Sequence, residues 1–457
     1  MSASPEPADP RGTAAPSWRE AVRVWAKIGV LGFGGPAGQI ALMHRELVER
    51  RRWIDEVRFM HALDYCMLLP GPEAQQLATY VGWLLHRTAG AVIAGVLFVL
   101  PGALVVLALS WLYAAHGATP WRAAAFFGLK AAVLALIVEA LLRIGRRVLR
   151  QRAHWLVALA AFVALAGFAV PFPLVVVGAA VVGATMRLPG ATRREGAGVD
   201  GTPTVVDAMA ARGELGHTRP DVRRAARVLV VCLLLWLAPV VVVAAIFGGH
   251  SVWVQQAALF SQAAVVTFGG AYAVLAWIAQ RAVAAHGWLQ ATEMLDGLAL
   301  AETTPGPLIL VVEFVAFVAA YRTPAPLQPL WAAVLGAGIT LWVTFVPCFL
   351  WILLGAPWLE RVRTHARVAS ALSAITAAVV GVIAQLALSL TLQVWFARVD
   401  TRSLGPARIP WPAIDSVDPW ALLATAMALL AVLRLRLRLG WVLAGAVALG
   451  LMADWLR

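Results

Sequence analysis

Apolar stretches recur along the chain at about 90–114, 123–142, 153–169, 172–186, 228–247, 330–356, 368–390, 418–433 and 439–455, divided by short polar loops. A helix needs roughly 20 consecutive apolar residues to cross hydrocarbon, so these nine runs predict nine crossings. Four further apolar segments are interrupted, around FGG at 33–35 and 268–270 and around PGP at 70–72 and 305–307. The pattern predicts an all-α polytopic membrane protein with about 13 hydrophobic segments.

The interruptions come in aligned pairs. FGG, Trp53 and PGP of the first half return as FGG, Trp288 and PGP, each 235 positions later. Beyond them Pro101 and Pro347, then AAV at 131 and 377, align at 246, so the second half carries about eleven extra residues near RTPAPLQP. Coincident matches at one spacing make this a duplication. The boundaries are a disordered polar tail 1–19, a first repeat 20–186, a cytoplasmic linker 187–227, a linker helix 228–247 and a second repeat 253–457. The tail has no short apolar core with a small-residue cleavage site, so no cleaved signal is expected.

Charge adds the orientation. The net charge is +13, yet the arginines sit in short loops between apolar runs, which points to membrane topology and away from nucleic acid. Loops 45–58, 143–152, 187–227, 361–367 and 434–438 are rich in arginine, and 115–122, 248–253, 281–292 and 321–329 are poor in it. Placing the rich loops, and with them the N-terminus, in the cytoplasm satisfies nearly all of them. The duplicated loop has five arginines at 45–58 and one at 281–292, so the two halves are expected to face opposite ways, with helix 228–247 inverting the second. The same bookkeeping makes 23–43 and 59–86 re-entrant pairs of half-helices, because single crossings would put the arginine-rich loop outside. Irregular backbone at that depth is tolerated only where protein or a water-filled cavity covers it, so the breaks are expected to line a site.

The chemistry of the breaks suits an anion. In LLPGPEAQQLATY, Pro72 fits the first position of a new half-helix, leaving the amides of Glu73, Ala74 and Gln75 free. In GFGGPAGQ, Pro36 plays the same part for Ala37, Gly38 and Gln39, while Gly34 and Gly35 allow a ligand to approach the backbone. Helix starts with free amides and a positive dipole end bind anions. The alternative is that these residues only kink helices for packing.

The stretch from LGFGGPAGQIALMHRELVERRRW through LLPGPEAQQLATY resembles the signature region of the chromate ion transporter family. FSQAAVVTFGGAYAVL and AETTPGPL resemble its second-half counterpart, and the resemblance spans essentially the whole chain in the family's two-domain form. It implies chromate efflux across a bacterial cytoplasmic (inner) membrane, conferring chromate resistance, with sulfate as the related tetrahedral dianion. One departure is Ala271 after the second FGG, where the first has Pro36. The substrate-binding candidates are Lys27, Phe33, Gly34, Gly35, Pro36, Gln39, Pro70, Gly71, Pro72, Glu73, Gln75, Phe268, Gly269, Gly270, Thr304, Pro305, Gly306 and Pro307.

Charges at membrane depth need reasons. Lys27 and Lys130 are the chain's two lysines. Lys27 either lines the approach to the FGG break or snorkels to the interface. Lys130 and Glu139 are too far apart for an i, i+4 pair, and either could partner another helix. Glu73 is either a helix-terminal carboxylate or a protonatable gate. Asp64 and His61 face the same cytoplasmic mouth, without an assigned role. Cys66, Cys232 and Cys348 read as packed thiols.

A dianion leaving a cell held at about 100 mV, negative inside, gains roughly 4–5 kcal/mol, which favours export without a coupled ion. A sulfate or other oxyanion carrier, inward or proton-coupled, is the alternative. No catalytic or metal-binding motif points to an enzyme, and no cofactor or metal is expected. Oligomeric state is open, a homodimer being one option.

Overall fold

The computed structural model describes residues 15–33, 35–67, 69–116, 120–186, 203–268, 271–358, 366–405, 407–437 and 439–456. The first half comprises helices α1 (Trp18–Leu31), α2 (Gly35–His44), α3 (Glu56–Cys66), α4 (Glu73–Ala115), α5 (Pro120–Val148), α6 (Arg152–Ala166) and α7 (Phe172–Met186). Between the halves lie α8 (Val205–Ala211) and α9 (Val222–Phe247). The second half comprises α10 (Val252–Val266), α11 (Ala271–Gln280), α12 (Ala291–Thr303), α13 (Val311–Arg322), α14 (Pro329–Gly355), α15 (Ala366–Trp395), α16 (Pro419–Leu429) and α17 (Leu439–Leu456). Among the described residues, five helical stretches are long and apolar enough to cross a membrane: Glu73–Ala115, Ala123–Val148, Val222–Phe247, Pro329–Trp358 and Ser370–Trp395. Shorter apolar helices accompany them, and the chain is a multi-pass, all-α membrane protein.

Two boundaries differ from the sequence expectation because of caps. α1 begins at Trp18, inside the interval read as tail, since the Ser17 hydroxyl accepts the Glu20 amide. α9 begins at Val222, six residues before its apolar run, where Asp221 accepts the Arg223 amide. One addition is an antiparallel hairpin, β1 (Val399–Leu404) and β2 (Ala407–Pro412), in the polar interval before α16. Arg402 lies over the Trp411 ring at 4.6 Å and fastens it.

α4 is two helices in one. At His86 and Arg87 the backbone leaves helical geometry, with Arg87 at φ 54°, and the chain doubles back. Gly82 faces the Gly90 carbonyl so closely that a Cβ there would stand 2.4 Å from its oxygen. The apolar segment 59–86 thus comprises α3, the break at PGP and the first arm of α4, 73–86. Elsewhere small residues let helices touch: Gly128 and Gly450 seat α5 on α17, Gly381 seats α15 on α6, and Gly183 seats α7 on α15. Lipid offers no hydrophobic gain for helix association, so such close contacts do the holding.

The linker docks on the first repeat. The amides of Val205 and Val206 donate to the Arg52 and Trp53 carbonyls, both at 3.1 Å. Arg58 pairs with Asp207 at 2.5 Å, and His217 meets the Trp83 carbonyl at 3.0 Å. From this end α9 leads away over 26 residues, about 39 Å of helix. α10 runs back beside it, with Trp236 donating to Ser261 at 3.2 Å and the Phe247 and Trp253 rings 4.5 Å apart.

Candidate oxyanion site at the crossed helix breaks

Each break of one repeat rests on a break of the other. The Gly71 amide, inside the first PGP, donates to the carbonyl of Thr267, just before the second FGG, at 2.7 Å. The Gly306 amide, inside the second PGP, donates to the carbonyl of Gly32, just before the first FGG, at 3.0 Å. Gly71 and Gly306 are repeat equivalents, as are Gly32 and Thr267, so one bond is the image of the other. Such reciprocity is what a two-fold relation produces.

The long helices α4 and α14 seal the same junctions. A Cβ on Gly71 (φ +119°) would stand 2.9 Å from Cys348 Sγ and 2.8 Å from Gln76 Nε2. The Pro305 carbonyl oxygen lies only 2.2 Å from where Gly102 would carry a Cβ. Gly102 and Cys348 follow the aligned prolines Pro101 and Pro347, so each proline-bearing helix covers the other repeat's PGP.

Backbone acceptors at the junctions are consumed first. Gly32 O takes the Gly306 amide and Gln39 Nε2; Gly306 O takes Gln39 Nε2; Pro70 O takes Gln76 Nε2 at 2.7 Å; Thr267 O takes the Gly71 amide. The donors at the half-helix starts are left over. In α4 the first ladder bond is Gln76 N–H to Pro72 O, so the amides of Glu73, Ala74 and Gln75 lie ahead of the ladder. α2 starts at Gly35, whose φ of +64° an L side chain rarely adopts, and among the described residues nothing beyond its own helix backbone and chain neighbours lies within 4 Å of where its Cβ would be. That start therefore faces open space. Phe33 beside it is exposed, and its carbonyl oxygen is 2.4 Å from a Cβ position on Gly38, which explains the third glycine. Gln39, Gln75 and Gln76 are buried with carbonyl oxygens that no protein group bonds. Buried amide oxygens of this kind ordinarily take water or a ligand as partner.

Among the sequence candidates, Gly34, Gly269 and Gly270 lie outside the described residues. Pro72 is the N-cap of α4, one place before the first helical position expected for it, because its ψ of 106° is extended. Pro307 caps a short 3-10 turn, Leu308–Leu310, that leads into α13. The Thr304 hydroxyl donates back to Ala301 O at 3.1 Å, and Gln75 Nε2 bonds Thr79 Oγ1 at 3.1 Å. Phe268 and Pro305 flank the crossed bonds. Glu73 opens α4.

Lys27 points to the loop end of α1. Its ammonium bonds Glu46 at 2.8 Å, and Glu46, only 2% exposed, also holds Arg50 at 2.8 Å and Arg51. Burial opposes ionisation of this loop carboxyl, but the hydrogen bonds from Lys27 and Arg51 outweigh it and hold it at about 2. Arg19, Glu20, Arg23, Lys27 and Arg51 line an open groove of about 320 Å³ there. A second cavity, of about 290 Å³ between α6, α11, α12 and α15, is lined mainly by apolar residues with no charged group. Lys130 pairs across the repeats with Asp296 at 3.0 Å, and the Tyr113 hydroxyl donates to the same carboxylate at 2.8 Å. Glu139 pairs with Arg143 on its own helix. The sequence reading missed Gln76, Gly102, Glu46 and Thr267. For Gly102 the signal existed, in the aligned prolines beside it.

A family model described as chromate transporter matches residues 19–184 and 254–451. A chromate transport protein of Pseudomonas aeruginosa is 34% identical over 381 residues, covering 83% of this chain and 82% of that protein. A chromate transport protein of Cupriavidus metallidurans is 27% identical over 387 residues, 83% and 86% of the two chains. A probable chromate transport protein of Synechococcus elongatus is 27% identical over 371 residues, 80% and 83%. No solved structure matches. With both halves matched and the crossed breaks falling inside the matched regions, the chain belongs to the chromate transporter family.

Proposed function

We propose that this protein is a secondary transporter that exports chromate from the cytoplasm across a bacterial inner membrane and so confers chromate resistance. The N-terminus is cytoplasmic, and access alternates between two inverted repeats. The observation that carries this reading is the crossed pairing of the breaks, in which carbonyls are satisfied by the opposite repeat while half-helix amides remain for a ligand. The substrate site comprises the FGG and PGP segments with Gln39, Glu73, Gln75 and Thr304, and Lys27 belongs to the basic groove that concentrates anions at the mouth. The docking of residues 205–207 on Arg52, Trp53 and Arg58 supports a shared cytoplasmic side for linker and arginine-rich loop. The antiparallel course of α9 and α10 supports the inversion, since α10 then starts at the end opposite to α1.

The test is radiolabelled chromate flux in inverted membrane vesicles, with sulfate as competitor. Accumulation driven by an inside-positive potential is expected, and Gly35→Leu should abolish it in membrane-inserted protein. A leucine there is strained at positive φ and fills the open space before α2. Normal flux in Gly35→Leu would reduce the break to a packing kink. Sulfate transport that chromate cannot inhibit would make the protein a sulfate carrier.

A further inference from the structure

Among the described residues, α4, α10, α13 and α14 carry four polar side chains outside the junctions that are at most 1% exposed and have an oxygen that no protein group bonds. They are Ser110, Gln256, Glu313 and Thr340. Serine and threonine in apolar helices normally donate to the carbonyl one turn back, as Thr79, Thr376, Thr391 and Thr425 do here. Ser110 and Thr340 do not.

Packing brings the four to within about one helical turn of one another. Gln256 Nε2 donates to Ala316 O at 3.0 Å, and its Oε1 lies 2.8 Å from where Gly336 would carry a Cβ. The Gln256 amide is thus wedged between α13 and α14, which form an antiparallel hairpin. From that wedge Glu313 lies one turn back on α13 and Thr340 one turn on along α14, which sets them side by side. α4 runs alongside: Gly102 abuts Pro305, Leu107 and Ala114 pack on Phe317, and the Tyr113 and Phe314 rings are 5.0 Å apart. Ser110 falls between those contacts, level with Glu313.

Repeat equivalence supplies a second, independent observation. The positions matching Gln256, Glu313, Thr340 and Ser110 in the other repeat are Ala21, Ala78, Ala94 and Ala356, all buried. One copy of the position is wholly oxygen-bearing and its image wholly methyl. Packing alone gives no reason for four polar groups to be collected on one side.

We propose that Ser110, Gln256, Glu313 and Thr340 form an oxygen-lined site for a monovalent cation of the sodium class. Among the described residues no cation pairs with Glu313, and the Lys130–Asp296 pair beyond Tyr113 is mutually compensated. An isolated carboxylate at this depth needs one positive charge, and a divalent ion would leave an excess. Hard cations take carboxylate, amide and hydroxyl oxygens, the set present here. Oxygens sharing an ion at about 2.4 Å stand further from one another than a hydrogen bond, which accounts for four neighbouring polar groups without mutual bonds. A proton on Glu313 would satisfy one of the other oxygens and leave the rest orphaned. Coupling of this cation to anion movement rests on the transporter reading above; its binding does not.

The experiment is radiosodium binding to purified full-length protein in nanodiscs, in choline buffer, without any oxyanion. Saturable binding is expected, lost in Glu313→Gln and weakened about tenfold or more in Thr340→Ala and Ser110→Ala. Thr340→Ser, which keeps the oxygen, should restore it even if Glu313→Gln folds poorly. Gly35→Leu should keep sodium binding, so failure of the anion site and failure of this site are separable. Absence of saturable binding, or binding unchanged in Glu313→Gln, overturns the proposal. Sodium-indifferent chromate flux with proton movement lost in Glu313→Gln would overturn it in favour of a proton carrier.

Discussion

Glu46 gathers Lys27, Arg50 and Arg51 around one buried carboxylate, and that makes the loop after α2 sensitive to acid. Its carboxyl titrates at about 2 when folded against an ordinary 4.5, so its stabilisation is present above about pH 4.5 and is lost as pH falls toward about 2. Glu46→Gln should lower stability by about 3 kcal/mol at neutral pH, because three cations lose their partner. Thermal unfolding of wild type and variant across this range is the measurement, with the gap expected to narrow on acidification. A gap independent of pH would mean that Glu46 is held by packing alone. Lys27 illustrates what a single sequence hides. Its place two turns before FGG suggested the site, but the carboxylate that captures it comes from a loop residue 19 positions on, with no periodic signal.

At the scale of elements, five of the nine uninterrupted runs lie, among the described residues, in helices long and apolar enough to span a bilayer, and the other four coincide to within a few residues with shorter apolar helices, because a bilayer demands apolar stretches whatever the tertiary contacts. The interrupted segments were legible for the same reason: Gly and Pro at membrane depth contradict a continuous helix. What the sequence concealed was the partner of each break. Gly71 and Thr267 are far apart in the chain, and a backbone-to-backbone bond leaves no side-chain signature. The hairpin at 399–412 was hidden as well, since its strands show no sustained apolar alternation and the second carries Pro410 and Pro412. The geometry of PGP gives a direct expectation. Gly71→Ala forces a Cβ to 2.8 Å from Gln76 Nε2 at a φ of +119°, so it should cost about 1–3 kcal/mol. Gly306→Ala, with 3.0 Å to Leu310 Cδ1 and φ +92°, should be milder. Melting temperatures of the two purified variants test the order, and equal losses would mean that strain alone, not the contact with Gln76, decides.

For the whole molecule, the proposed inversion sets the loop after α2 and the loop before α12 on opposite sides of the membrane. The native cysteines Cys66, Cys232 and Cys348 are buried, so background labelling is low. In intact cells Thr292→Cys should react with an impermeant maleimide, and Arg50→Cys should react only after permeabilisation. Both positions are exposed. Labelling of both from one side would remove the inversion and with it the alternating-access scheme.

The crossed bonds also constrain how the chain is made. When the ribosome has delivered the first repeat, the Gly71 amide has no mate and the Gly32 carbonyl has only Gln39 Nε2, because Thr267 and Gly306 do not yet exist. At about 5–20 residues per second the delay across the repeat spacing is roughly 10–50 s. During that interval water, lipid headgroups or an insertase must shelter the unmated groups. The last step of folding is then the mutual closure of two half-built pores of structure, each completing the other.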